Sequence, residues 1–277
     1  MILSSPPGTV ALPLRGMQEF LATPFHQPAA FARLTAILFV VIYLRYLFLC
    51  GAVHYFLLVR WKPRLLARVL NPYPRFPQRL RTDVWRSALT AAIFAVLGTG
   101  MVIAWQRGYT RLYTDWSAHP WWMIPLGAAA VLLLHETYYY WLHRLMHHPR
   151  LYRHVHQWHH DSIETTALTS FSFHPVESIL QAAVIPLFVF LIPLHIYTLL
   201  ALLLFMTFSA VVNHAGLEIY SRRPALRWWA RYVIGATHHD QHHKLFSKNY
   251  GLYFTFWDRW MRTESDDFED AFLREQR

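Results

Sequence analysis

The sequence predicts an all-α, integral membrane helical bundle. It should have four to five membrane segments, two of them paired as a hairpin, and a cytoplasmic helical cap holding a histidine-rich two-metal site. Three observations lead there. Apolar residues make up 55% of the 277 and gather into stretches of membrane-crossing length. The formal net charge of +10 sits largely beside those stretches. Nine histidines fall into three clusters and one singleton, each flanking an apolar stretch.

A membrane helix needs about 20 largely apolar residues. Residues 31–58 supply the first span and residues 85–105 the second. Residues 121–142 supply the third, opening on Trp121-Trp122 and closing on Tyr138-Tyr139-Tyr140-Trp141, as aromatic belts at two interfaces would. Residues 177–212 are apolar, with Pro186, Pro193 and His195 near the middle. That pattern predicts a hairpin that enters and leaves on one side. Residues 1–120 form a two-span N-terminal part and 121–277 the histidine-bearing part. No repeat or flexible linker separates them, so 1–277 is expected to be one structural domain.

Lysine and arginine bias sets the orientation. The 59–83 loop carries Arg60, Lys62, Arg64, Arg68, Arg75, Arg79 and Arg81 and should be cytoplasmic. Every histidine cluster then lies on the cytoplasmic side, although histidine played no part in that assignment. The basic charge is expected to meet anionic headgroups or an acidic protein partner, not nucleic acid. Arginine far exceeds lysine (Lys62, Lys244 and Lys248 are the lysines), a bias that leans toward a bacterial inner membrane. In a eukaryote the endoplasmic reticulum would be the membrane. The single cysteine, Cys50, permits neither an intramolecular disulfide nor a cysteine-type zinc site. The N-terminus shows no signal-peptide pattern.

Imidazole is the commonest side-chain metal ligand. Residues three and four apart share a helix face. His143 and His147 satisfy that spacing directly after the third span. His156, His159 and His160 satisfy it as i, i+3, i+4, and so do His239, His242 and His243. Each cluster should therefore aim two or three imidazoles at one point. His214, after the hairpin, is expected as the ninth ligand, with an ordinary interfacial histidine the plain alternative. Nine ring nitrogens exceed the four positions of one tetrahedral zinc and suit two metals. His238 competes with His239, which wins by completing the i, i+3, i+4 set. His148 and His154 fit the spacing poorly, and His26, His54, His119 and His195 are assigned no chemistry.

Metal-bound histidines usually donate their other N–H to a carboxylate or carbonyl. Glu136, Asp240 and Asp258 lie near the clusters and are candidates for that role, with interfacial salt bridges the plain alternative. His135 lies two turns deeper than His143 and is a candidate for lining a substrate cavity, or for helix packing. No GxGxxG or P-loop is present, so a redox metal site would draw electrons from another protein.

These segments resemble the fatty acid hydroxylase/sterol desaturase superfamily of membrane di-iron oxygenases. The resemblance runs over residues 130–263 and rests on four segments. They are Tyr140-Trp-Leu-His143-Arg144-Leu-Met-His147, His156-Gln-Trp-His159-His160, Phe173-His174-Pro175-Val-Glu177 and His239-Asp-Gln-His242-His243. Asn249-Tyr250-Gly251 and Phe256-Trp257-Asp258-Arg259 follow the last. Sterol C5-desaturases are the most similar subgroup. They share the Ser172-to-Glu177 pattern, the Ile192-Pro193-Leu194-His195 tip and the run from Asn249 to Arg259. The chain departs from them at His214-Ala215-Gly216, where His-Asp is usual, and at Met261-Arg262, where a glycine is usual.

The resemblance implies two iron ions on the nine histidines and O2 as co-substrate, with zinc able to load in overexpressed protein. It implies a sterol-like or fatty acyl substrate and an external donor such as cytochrome b5 or a ferredoxin. It also places His174 and Glu177 beside the site. Lipid desaturation is the expected reaction, with hydroxylation of an acyl chain, a sterol methyl group or an ether lipid as the alternative. From other classes, a histidine-rich metal transporter and a catalytically silent scaffold stay open. A transporter would place ligands along a path inside the spans.

Overall fold

The computed structural model describes residues 19–20, 22–61, 68–71, 77–224 and 227–273. Lys62, Arg64 and Arg75 of the basic loop lie outside the described residues. Helix α1 spans Pro28–Val53 and runs on as a wider π-helical turn over His54–Arg60. Helix α2 spans Pro77–Gln106 and packs along α1, with Thr35 and Thr99 hydroxyls 2.9 Å apart. Helix α1 is inverted relative to a soluble core helix. Phe48 is 73% and Leu44 58% exposed, whereas the hydroxyl of buried Tyr46 donates to the Leu168 carbonyl at 2.7 Å. Such a helix suits a lipid solvent, where polar groups turn inward to find partners.

Helix α3 spans Met123–Met146. After it come two short helices, α4 over Pro149–Val155 and α5 over Gln157–His160, then a 3₁₀ turn over Ala167–Phe171. The hairpin consists of α6, Pro175–Leu191, and α7, Ile196–Asn213. Its tip strand β2, Leu194–His195, pairs in parallel with β1, Leu112–Tyr113, in the loop before α3. Gly127 on α3 lets that tip approach: a Cβ there would sit 2.9 Å from Leu194 Cδ2. A 3₁₀ turn over Arg227–Arg231 leads into α8, Ala236–Leu245, α9, Phe256–Trp260, and α10, Phe268–Leu273.

Among the described residues three helical stretches are long and apolar enough to cross a membrane: Pro28–Leu57, Gln78–Gln106 and Ile196–Asn213. The first two contain the predicted spans 31–58 and 85–105 almost entirely. The predicted third span, 121–142, is helical but does not meet that measure of hydropathy. His135, Glu136 and three tyrosines dilute its C-terminal half, and those residues face protein. The predicted hairpin 177–212 is present as two helices, the first of 17 residues with Pro186 inside it.

Candidate metal centre

The nine histidines singled out from the sequence lie together in two groups. His143, His147, His156, His160 and His242 form one, and His159, His214, His239 and His243 the other. Within each group one ring nitrogen per residue lies within 4.8 Å of the rest. All are buried except His147, which is partly exposed. Two imidazoles of each cluster aim at one point. The i, i+4 pairs stay together: His143 with His147, His156 with His160, His239 with His243. The i+3 members, His159 and His242, cross to the opposite group. Successive helix positions turn by about 100°, so an i, i+3, i+4 trio straddles two directions and bridges two sites instead of filling one.

Local structure explains the aim. His143 is in the last turn of α3 and His147 is its C-terminal cap. The cluster at 156–160 is not one helix: His156 is the corner between α4 and α5, with φ −121° and ψ −15°. His214 caps the C-terminus of α7. Helix α8 carries the remaining three. Buried Glu218 caps its start, accepting from the Thr237 N–H at 2.9 Å and hydroxyl at 2.7 Å.

Hydrogen bonds on the far side of three rings fix their tautomers. His143 Nδ1 donates to the Tyr250 carbonyl at 2.9 Å, His242 Nδ1 to that of Lys248 at 2.7 Å, and His214 Nδ1 to that of Ala210 at 2.7 Å. A neutral imidazole has one N–H, so the Nε2 of each is a bare lone pair. His242 Nε2 lies 3.1 Å from His147 Nε2 and 3.0 Å from His160 Nε2. His214 Nε2 lies 3.1 Å from His159 Nε2 and 2.7 Å from His239 Nε2. Burial first, and neighbouring imidazoles second, hold His156, His159, His160, His239 and His243 far below the usual imidazole range. Burial brings His214 and His242 down to about 4. The rings are therefore neutral at physiological pH, and their lone pairs converge in two places. An all-nitrogen donor set of four and one of five fit iron, copper, nickel or zinc.

The proposed partners behind the ligands fall into three kinds. Glu177 and Asp258 do stand behind histidines. Glu177 Oε1 lies 2.8 Å from His156 Nδ1, off the N–H axis, and also accepts from Gln181 Nε2 at 2.9 Å. Asp258 acts one peptide removed. Its carboxylate accepts from the N–H groups of Tyr250 and Gly251, each at 2.8 Å, and so sets the carbonyl that receives His143. Gly251 is required there, since a Cβ would lie 2.6 Å from the Phe254 carbonyl.

Glu136 and Asp240 turn elsewhere. Glu136 accepts from Leu252 N–H at 3.1 Å, Tyr253 N–H at 2.6 Å and Phe254 N–H at 3.3 Å, pinning that segment to α3. Asp240 pairs with Lys244 Nζ at 2.7 Å and Asn71 Nδ2 at 2.6 Å. His135, His174 and His238 belong to neither group. His135 Nδ1 lies 3.1 Å from the Tyr253 hydroxyl, His174 Nδ1 accepts from Val176 N–H at 3.2 Å to cap α6, and His238 stacks on Phe268 at 3.7 Å.

Three contributors gave no local sign in the sequence. Buried Asp83 on α2 accepts from the hydroxyls of Ser162 at 3.2 Å and Thr169 at 3.1 Å, anchoring the loop after His160. Arg86 donates to the Trp158 carbonyl at 2.7 Å, beside His159. Glu218 reaches α8 from 19 residues upstream.

Two comparisons bear on this arrangement. The family model described as Fatty acid hydroxylase matches residues 128–263, which contain all nine histidines. This part of the chain, just under half of it, is similar to the fatty acid hydroxylase family. Among curated proteins, lathosterol oxidase of Rattus norvegicus is 36% identical over 155 residues, 55% of this chain and 50% of the rat protein. The Delta(7)-sterol 5(6)-desaturase of Gibberella zeae is 29% identical over 194 residues, 70% of this chain and 58% of the fungal one. Lathosterol oxidase of Homo sapiens is 27% identical over 260 residues, 90% and 83% of the two chains. The chain thus spans only about half to three-fifths of the first two relatives. No solved structure matches.

Proposed function

We propose that this chain is a membrane-bound, non-haem di-iron oxidoreductase that uses O2 to desaturate an unactivated C–H/C–H pair of a sterol-like lipid. The observation that carries the reading is the convergence of nine neutral imidazoles into a set of five and a set of four, within the fatty acid hydroxylase region. The substrate class follows from the relatives, three of which are named for sterol desaturation or lathosterol oxidation.

His143, His147, His156, His160 and His242 would hold one metal, and His159, His214, His239 and His243 the other. Bound iron supplies the one-electron and O2 chemistry that no side chain here can perform. The protein's own part is to hold the rings. Tyr250, Lys248 and Ala210 carbonyls keep three Nε2 lone pairs facing inward. Glu177 places a carboxylate behind His156, which raises ligand basicity. Burial excludes water, as an oxidising site attacking a C–H bond requires.

The positive-inside bias supports a cytoplasmic position for the groups, in a bacterial inner membrane or the endoplasmic reticulum. Electrons would come from an external carrier of the cytochrome b5 or ferredoxin kind. Hydroxylation is the alternative outcome of the same hydrogen abstraction. A transporter is disfavoured because the nine imidazoles gather beside helix ends instead of lining a path through the spans. The test is turnover of a Δ7-sterol by iron-loaded protein with O2 and a reductant, scored for a C5–C6 double bond against added hydroxyl. Turnover of fatty acyl lipids alone would reassign the substrate.

A further inference from the structure

The segment from Arg227 to Tyr232 is built inside out for a surface in water. Its inward residue is small: Ala230, 2% exposed, packs on Phe268, Phe272 and Tyr220. Its outward residues are large and aromatic. Trp228 and Trp229 are stacked at 4.3 Å and about half exposed, and Tyr232 is 56% exposed. Trp260, on the last turn of α9, is 66% exposed. Residues 219–239 hold four arginines and no acidic residue; Arg227 and Arg231 share Glu269 across the cap. Aromatic rings outermost among arginines are the pattern of a lipid headgroup interface, where indole and phenol sit half in, half out of water.

Attachment to the bundle gives the depth. Val233 is bridged to Phe254, whose N–H donates to Glu136 on α3 at 3.3 Å. Glu136 precedes His143 by seven residues, about 10 Å along the axis toward the membrane centre. Tyr253 meets Phe205 at 5.6 Å, on α7, which is long and apolar enough to cross a membrane, some eight residues, or about 12 Å, before its end. On the other flank Trp257 Nε1 donates to the Thr137 hydroxyl at 3.1 Å and packs against half-exposed Trp141. The aromatic surface thus runs from Trp260 through Trp257 to Trp141 on the outward face of α3.

We propose that Trp228, Trp229, Tyr232 and Trp260 form a collar through which the C-terminal cap is immersed in the headgroup layer of the bilayer, its arginines meeting anionic lipid. The cap is then a monotopic element seated in the membrane, not a domain standing above it in water. This follows from the aromatic surface and its depth and is independent of what the histidines bind.

The chain's single, buried cysteine makes the test clean. Full-length Trp229→Cys and Trp260→Cys are spin-labelled in nanodiscs of phosphatidylcholine with phosphatidylglycerol. Nitroxide collision with O2 is compared with collision with a water-soluble nickel chelate. The unsubstituted chain is the labelling blank, Leu44→Cys the lipid reference and exposed Asp266→Cys the aqueous reference. The expected result is an O2-to-nickel ratio several-fold above that at position 266 at both collar sites, below that at 44. Tyr232→Cys reads the same surface if either tryptophan variant does not fold. Ratios equal to the aqueous reference would overturn the collar. So would spin–spin broadening between chains with no O2 preference, which would assign the surface to a second copy.

Discussion

His214 and His239 bring their Nε2 atoms to 2.7 Å of each other from the end of α7 and the middle of α8. The contact joins α7 to α8 through a histidine pair. Because His214 Nδ1 already donates to Ala210, its other nitrogen offers only a lone pair. His214 is therefore expected to be a ligand of the four-histidine group. His214→Ala should lower bound metal at least tenfold at limiting free metal, measured by chelator competition, with membrane insertion and helix content unchanged. Full metal content in that variant would remove His214 from the set.

Acid should release the metal and destabilise the metal-free chain together. His214 and His242 are held at about 4 by burial, against about 6.5 in the unfolded chain. The sign follows from linkage. Above pH 6.5 both states are neutral at these rings and nothing is lost. Between about 6.5 and 4 the unfolded chain takes up protons that the folded one refuses, so stability falls as pH falls. The loss should reach a few kcal/mol by pH 4. Thermal melting of metal-free protein in detergent at pH 7.5, 6 and 5 checks it; a flat profile would mean the rings are not buried neutral.

Glu177→Gln removes the carboxyl group 2.8 Å from His156 Nδ1 while keeping the side chain's shape. Metal affinity of the five-histidine group should drop roughly 10- to 100-fold, with little change in melting of the metal-free protein. Equal affinities would make Glu177 a packing residue.

Glu136 tests a different link. Its carboxylate accepts three backbone N–H groups of the segment that leads to Tyr250 and α9. Glu136→Ala leaves those donors buried and unpaired, and should cost about 3 kcal/mol or more. The same variant should lower metal occupancy, because the Tyr250 carbonyl that orients His143 belongs to that segment. An unchanged melting temperature would contradict the clamp.

Much of this architecture was legible because its signals are local. Runs of apolar residues marked α1 and α2, and histidines at three and four residue spacing marked eight of the nine members of the two groups, His214 being the singleton. What spacing did not reveal is the partition. His159 and His160 are neighbours in sequence yet face different groups, since one helix step turns the side chain by about 100°. The predicted third span does not read as the first two do because the C-terminal half of α3 is a floor for the histidine groups. His135 and Glu136 lower its hydropathy while serving Tyr253 and the 252–254 backbone. Asp83 and Glu218 left no trace in the sequence pattern: each acts across a tertiary contact, on groups 79 and 19 residues away. Asp240 and His238 look like site residues by position alone, but helix α8 turns them toward Lys244 and Phe268.

The most direct test of the central claim is metal content per chain, measured on protein purified in detergent without air from iron-supplemented cells. The account predicts about two irons per chain, both diminished in His159→Ala and in His242→Ala, because each of those rings belongs to one group and lies on an element that serves the other. One metal or none, unchanged by either substitution, would contradict the claim that the two histidine groups form a shared dinuclear site.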